Sequence, residues 1–269
     1  MTEHPHLFRW TLDRPMPAPH THPEVEVVVV ERGWVVHEQS GVQVRLEAGD
    51  LIAHWAAFPH GSGACARGTQ ILLMYLPLPL FTADPALAPL LGRWLRREHL
   101  VGRGDFRPWA RACLVSAGST HPLERRALDL EILAPLLRLE AAAGPTQAGG
   151  TSGDRHVAAM VGRIVAAAAE PLSVATLAAA AGLSPNHAMR VFRRVTGLGL
   201  WPFVQRVRIL QAQHLLRDPE RTVLSVALAT GFGSVRRFHD VFRALTGETP
   251  DAYRRRRHAT EAQQAASRT

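Results

Sequence analysis

The chain has 269 residues, 46% of them hydrophobic, which is enough to build two buried cores; its two cysteines, Cys65 and Cys113, carry no CxxC pairing and are expected to be reduced and structural. No apolar stretch approaches the roughly 18 to 20 residues that a membrane span needs, and no apolar run follows a basic start, so neither a span nor a secretory signal is expected and the cytoplasm is the expected compartment. The net charge of +8 is unevenly placed: residues 1–154 hold 14 Arg against 16 Asp and Glu, whereas residues 155–269 hold 17 Arg against 7. A positive field confined to one half suits phosphate or an anionic membrane surface rather than a neutral partner. All the basic residues are arginine.

The first feature along the chain is "HTHPEVE". His20 and His22, one residue apart, and Glu26, four further on, have the spacing of metal ligands. From Val25 to about Leu78 the pattern is that of short strands. "VEVVVV" is β-branched and continuous and ends at Gly33, "WVVHE" and "VQVRL" flank a turn at Ser40 and Gly41, and "EAGD" turns again at Gly49. A further apolar run, "TQILLMYLPLPLF", follows the glycine-rich "HGSGACARG". Strands this short and this close predict a small sandwich or barrel.

From Pro85 to Ala143 the period becomes helical, with Leu and Ile at i, i+3, i+4 and i+7 in "ALAPLLGRWLRREHL" and "LERRALDLEILAPLLRLEAAA". Such helices either cover the barrel or pair with a second copy. "GPTQAGGTSGDR" is rich in Gly, Ser and Thr and reads as a linker, 144–155. The expected layout is therefore a sensing and dimerising domain at 1–143, the linker, a helical domain at 156–257 and a polar, disordered tail at 258–269.

The helical half contains an internal duplication. "AAAGLSPNHAMRVFRRVTG" and "LATGFGSVRRFHDVFRALTG" place Ser184, Phe192, Thr196 and Gly197 in step with Ser234, Phe242, Thr246 and Gly247, with Gly233 inserted. Each copy has a short helix of small residues, a glycine able to turn left-handed (Gly182, Gly231), a serine placed to cap the next helix, and an amphipathic helix ending in Thr-Gly. That is the helix-turn-helix plan.

Ala188, Val191, Phe192 and Val195 fall on one face of the second helix, matched by Phe238, Val241, Phe242 and Leu245, and should pack inward. The opposite faces carry Asn186, His187, Met189, Arg190 and Arg193 in one copy, and Val235, Arg236, Arg237, His239, Asp240 and Arg243 in the other. A solvated charged face is the plain alternative for one such helix, but two copies within an excess of positive charge favour DNA, where Arg can bind guanine and Asn adenine. Between the copies, "WPFVQRVRILQAQHLLRD" is an amphipathic helix of ~27 Å, a spacer near the ~34 Å between successive major-groove faces.

Over the last hundred residues these motifs, with "RILQAQHLL" and "GETPDAYRR", resemble the AraC/XylS family of bacterial transcription regulators. The resemblance implies two recognition helices, Asn186 to Arg194 and Val235 to Arg243, in consecutive major grooves, with Ser184 and Ser234 beside them. Arg190 stands where many members carry an arginine, whereas the second copy has Asp240 there. Asp cannot bind phosphate or guanine, so the second unit is expected to read cytosine or to rely on Arg236 and Arg237. An activator acting on double-stranded DNA as a homodimer, with RNA polymerase as a partner, is the implied mode of action.

The first half resembles the cupin-type sensor domain of such regulators, through "HTHPEVE......G" and "GDLIAHWAAFPH". The implied architecture is α+β: a cupin-like β-barrel with covering helices, then an all-α domain of two helix-turn-helix units joined by a long helix. His20, His22, Glu26 and His60 fill the four places of a cupin metal site; no cofactor is required by this reading, but a divalent metal can sit there, and the same residues can instead hold an effector. Further likeness to the melibiose-operon regulators, a sugar-responsive subgroup, implies a sugar such as an α-galactoside. Trp55 and Trp34 are then candidates to stack on a pyranose ring, with His20, His22, Glu26, His54 and His60 bonding hydroxyls. A metal-dependent cupin enzyme fused to a DNA-binding domain is the alternative from another class.

Overall fold

The computed structural model describes residues 4–16, 18–143 and 152–256. Among the described residues, eight strands precede the helical half: β1 (His6–Leu12), β2 (Val25–Arg32), β3 (Trp34–Gln39), β4 (Val42–Glu47), β5 (Leu51–Trp55), β6 (His60–Cys65), β7 (Thr69–Leu76) and, after two helices, β8 (Leu100–Gly102). They do not close into the expected barrel. Instead they form a five-stranded sheet, β1-β7-β2-β5-β8, stacked on a three-stranded sheet, β4-β3-β6. β1 pairs with β7 and β8 with β5, so the outer edges of the large sheet are not joined by a ladder to the edges of the small one. The glycine-rich "HGSGAC", read as a turn segment, is β6, paired with β3.

Strand parity explains why β2 is buried on both faces. Val25, Val27 and Val29 join Leu51, Ala53 and Trp55 of β5 under the covering helices. Val28 and Val30 face the small sheet and pack with Val35, Leu46, Ile52, Ile71 and Leu73. The space between the sheets is therefore apolar at one end. At the other end it receives Glu26, His37, His54 and His60.

The covering layer is α1 (Pro79–Thr82), α2 (Ala88–Leu95), α3 (Arg107–Ser116) and α4 (Pro122–Ala143). The continuous helical reading of 85–143 is thus interrupted: α2 stops at Leu95 and the chain returns to the sheet as β8 before α3 begins. Trp94 anchors α2 to the sheet through its indole N–H, which donates to the Ala53 carbonyl at 3.2 Å.

Helix α5 (Ser152–Ala166) begins inside the segment read as a linker, and residues 144–151 lie outside the described residues, as does the tail at 258–269. Asp154, in the first turn of α5, is buried and meets the Arg96 guanidinium at 2.9 Å, so the start of the helical half is tied to the end of α2. The two duplicated units follow as α6 (Val174–Ala180) with α7 (Pro185–Thr196), and α9 (Val223–Ala229) with α10 (Val235–Thr246). Between them runs α8 (Leu200–Leu215), 16 residues or ~24 Å long, slightly shorter than expected. Among the described residues, no helix is long and apolar enough to cross a membrane.

The turn glycines behave as the duplication predicts, with φ of +65° at Gly182 and +79° at Gly231. At Gly231 a Cβ would also lie 2.9 Å from the carbonyl oxygens of Ala168 and Ala169, so space as well as dihedral reserves that turn for glycine.

The units differ in what they pack against. The α7 face of Ala188, Val191, Phe192 and Val195 belongs to one continuous core with the outer face of the large sheet, α2, α5 and the first part of α8. The second unit has a separate core of its own: Ile209, Ala212 and Leu216 meet Val226, Ala227, Phe232, Phe238, Phe242 and Tyr253.

Candidate effector chamber and nucleic-acid interface

The polar end of the space between the sheets is built by register. On β2, Glu26 faces His54 of β5 on one side and Tyr75 of β7 on the other. His60 opens β6 opposite Gln39 of β3 and is held by an isolated antiparallel bridge to His20. His22 lies between two carboxylates, with Nδ1 3.0 Å from Glu24 and Nε2 3.1 Å from Glu26 Oε2. His60 Nε2 approaches the same Glu26 oxygen at 3.7 Å. Side-chain donor atoms of His20, His22, Glu26 and His60 all lie within 4.8 Å of one another, so the four residues singled out in the sequence do meet.

The structure adds members that spacing did not reveal. His37 of β3 packs against His54 with ring centres 4.3 Å apart and planes tilted by 51°, and His99 stands edge-on to His37 at 5.5 Å. His54 belongs to this group. Trp55 does not: as the next residue of a strand it points to the opposite face, where its ring lies 5.8 Å from Phe58 and its indole N–H donates to the Pro23 carbonyl. It is core, 1% exposed, and does not reach the chamber to stack on an effector. Trp34 also faces away from the chamber, under the guanidinium of Arg45 at 4.0 Å.

Burial and charge divide the chamber. For His22, burial pulls the imidazole down, but hydrogen bonds and charges from Glu24 and Glu26 outweigh it and the net shift is upward. Burial would raise Glu24, yet His22, with Arg217 adding its charge, holds it down to about 2; Glu26 is likewise held well below the usual carboxylate range. Burial drives His37 down to about 3, drives His54 well below the usual histidine range, and lowers His99. One side of the chamber thus holds His22 between two carboxylates that raise its pKa, and the other holds imidazoles whose pKa burial lowers.

Neutral imidazole and carboxylate are the donors that a divalent transition metal takes. Several of the ring nitrogens here are buried without a hydrogen-bond partner, among them His60 Nε2, so the residues present fit such an ion. His20, His22, Glu26 and His60 would hold it, and the ion would supply a Lewis-acidic anchor for hydroxyl or carboxylate groups of a ligand.

The second candidate surface lies on α7 and α10. Ser184, Asn186, His187, Met189, Arg190 and Arg193 are exposed on the first unit. On the second, Ser234, Arg236, Arg237, Asp240 and Arg243 are exposed, while Val235 and His239 are half-buried. Among the described residues none of these arginines has a carboxylate partner, which leaves their fork-shaped donors available to phosphate or base edges. Ser234 caps α10 by accepting from the Arg237 N–H. Ser184 does not cap α7: it occupies the position, but Pro185 leads the helix without an N–H and the hydroxyl makes no capping bond. The inward faces are as expected, with Phe192, Phe238 and Phe242 fully buried.

Comparison with known proteins bears on this surface directly. A helix-turn-helix domain family model matches residues 177–256, the two units and the helix between them. The regulatory protein SoxS of Escherichia coli K12 is 34% identical over 87 residues, which is 81% of SoxS and 32% of this chain. The chain belongs to the AraC/XylS family of transcription regulators.

The relationship of this AraC-family chain to its relatives extends beyond the DNA-binding half. The melibiose operon regulatory protein of E. coli K12 is 27% identical over 261 residues, covering 89% of this chain and 84% of that protein. In fold, apo ToxT of Vibrio cholerae superposes with a TM-score of 0.63 over 94% of this chain and 97% of ToxT, at 9% identity. These relatives are regulators rather than enzymes, which sets aside the metal-dependent enzyme as the alternative.

Proposed function

We propose that the histidine-rich chamber is the effector site of this regulator, and that its occupancy sets how α7 and α10 engage an operator. The observation that carries this reading is a direct mechanical contact. Segments at the chamber rest on α8: the Gln213 amide donates to the Thr21 hydroxyl, between His20 and His22, at 3.1 Å, and Arg206 donates to the Ala57 carbonyl, in the turn before His60, at 2.9 Å. A ligand that moves His20, His22 or His60 therefore pushes on the helix that spaces the two DNA-reading units, and differential binding to two such arrangements is what allosteric control requires.

The likeness to a melibiose operon regulator supports a sugar, with an α-galactoside first among candidates. His20, His22, Glu26, His54 and His60 are the groups that would bond its hydroxyls, in an open sandwich that serves as the cupin-type sensor. The test is the melting temperature of the purified protein against mono- and disaccharides, each with and without chelator. A saturable rise of roughly a few degrees with one sugar is expected from linkage. No shift with any sugar overturns the sugar assignment.

On the DNA side, Asn186, His187, Arg190 and Arg193 of α7 and Arg236, Arg237 and His239 of α10 are the proposed contacts, with activation through RNA polymerase in the cytoplasm. The regulator is proposed to act as a homodimer through α4. That helix buries Leu128, Ile132, Leu133 and Leu136 against its own domain, yet leaves Leu123, Leu130 and Leu137 exposed at heptad spacing, 75%, 53% and 38% accessible. Exposed Ala127 and Ala141 continue the stripe, and small residues beside a leucine seam let two helices approach closely. Leu130→Glu is expected to convert a dimer into a monomer in sedimentation equilibrium while leaving the melting of each protomer nearly unchanged. A wild-type protein that is already monomeric at micromolar concentration overturns the dimer.

A further inference from the structure

The chamber holds two overlapping sets of donors rather than one. Beside His20, His22, Glu26 and His60, the side-chain donor atoms of Glu26, His37 and His54 also lie within 4.8 Å of one another. Glu26 belongs to both. His22 and His60 approach the same carboxylate oxygen, Oε2, and a carboxylate has a second oxygen to offer.

The second set carries an unusual concentration of unmet hydrogen bonding. His54 is fully buried with neither ring nitrogen bonded, and His37 Nε2, His60 Nε2 and His99 Nε2 are in the same condition among the described residues. Each buried polar group left so keeps its desolvation cost without the bond that would offset it, and an apolar side chain of similar size would avoid that loss. The strands place these rings together deliberately in the physical sense: Glu26 and His54 are direct cross-strand partners, and His37 reaches them from the facing sheet. His54 lies 4.8 Å, ring centre to ring centre, from His60 of the first set. Two adjacent groups of imidazoles are therefore joined through a single carboxylate.

We propose that the chamber binds two divalent transition-metal ions side by side, one held by His20, His22 and His60, the other by His37 and His54, with Glu26 shared between them. His99 lies edge-on to His37 beside this set. Imidazole-dominated donors select zinc, cobalt, nickel or copper over magnesium or calcium, which take oxygen. Aspartate, glutamate or backbone oxygens beyond Glu26 are not needed. The inference rests on reading the chamber as a binding site, and it changes what an effector would meet there: a pair of Lewis-acidic centres, suited to a ligand with two adjacent oxygen donors, as in a vicinal diol or a hydroxy acid.

The test uses the full-length protein stripped with chelator, reloaded with Co²⁺ or Zn²⁺, desalted and analysed for metal per chain. Two ions per wild-type chain are expected. His54→Gln and His37→Gln should each retain one, His22→Gln should also retain one, and Glu26→Gln should weaken both. Titration of the wild-type protein with Co²⁺, followed by its visible spectrum, supplies a readout that no variant has to fold for: two successive phases, each ending near one equivalent, are expected. One ion in the wild-type chain, unchanged by His54→Gln, overturns the second set, and no retained metal overturns the centre altogether. A protein that holds two ions and responds to no sugar keeps this centre and loses the sugar assignment, so the two readings fail separately.

Discussion

Phe203→Ala is expected to cost about 3 to 5 kcal/mol of unfolding free energy, the range for truncating a buried phenylalanine, and to blunt any response of DNA binding to the effector. Phe203 of α8 is fully buried. Its ring lies 5.7 Å from Trp55 of the sensor sheet and 5.1 Å from Phe192 of the first recognition helix, so it is the joint at which sensor, spacer and reading head meet. Phe242→Ala removes an equally buried ring, but from the separate core of the second unit. Its cost in stability should be similar, whereas its effect on effector response should be small. Denaturant unfolding and operator titration on both variants check the contrast. A Phe203→Ala protein that keeps its full effector response would place the transmission elsewhere, at the Thr21–Gln213 or Arg206–Ala57 contacts.

Arg190→Ala is expected to weaken operator binding by about 1 to 3 kcal/mol, roughly 5- to 150-fold, and to relax the preference at one base pair. The exposed, unpaired guanidinium on α7 is positioned to use its planar fork on guanine. The equivalent step on α10 is Asp240, which a phosphate would repel. Asp240→Ala should therefore leave affinity unchanged or raise it, unless Asp240 accepts from the amino group of a cytosine, in which case the preference at that pair disappears. Selection from a random duplex library, followed by titration at one fixed salt concentration, reads both effects. Unchanged affinity and base preference in Arg190→Ala would remove that residue from the interface.

How far the sequence could be read depended on the physics behind each pattern. The duplicated units were legible because helical periodicity, a left-handed glycine and a Thr-Gly stop recur together, and the inward faces at Phe192 and Phe242 follow from that alone. The first donor set was legible because three of its members crowd into seven residues. His37 was missed although "WVVHE" contains its signal: alternation puts it on the same face as Val35, toward the core. The same rule excludes choosing both His54 and Trp55, since neighbours in a strand face opposite ways. Strand closure was harder. Whether short strands form a barrel or two stacked sheets is decided by which edges pair across long loops, and β8 adds to the sheet only after α2, where nothing local announces a strand. Contacts such as Gln213 with Thr21 join residues 192 apart and have no local signature at all.

The separate core of the second unit has an evolutionary consequence. Substitutions in cores that share few contacts add with little interference, so α9 and α10, with the side chains they bury between them, form a cassette that can drift in sequence and acquire a new half-site while the chamber and the first unit stay intact. The first unit has no such freedom, because Val191, Phe192 and Val195 lie in the same core as the sensor sheet. New operators are therefore most readily gained through α10, and Asp240, which stands where the first unit has Arg190, lies in the half of the protein where such novelty is tolerated.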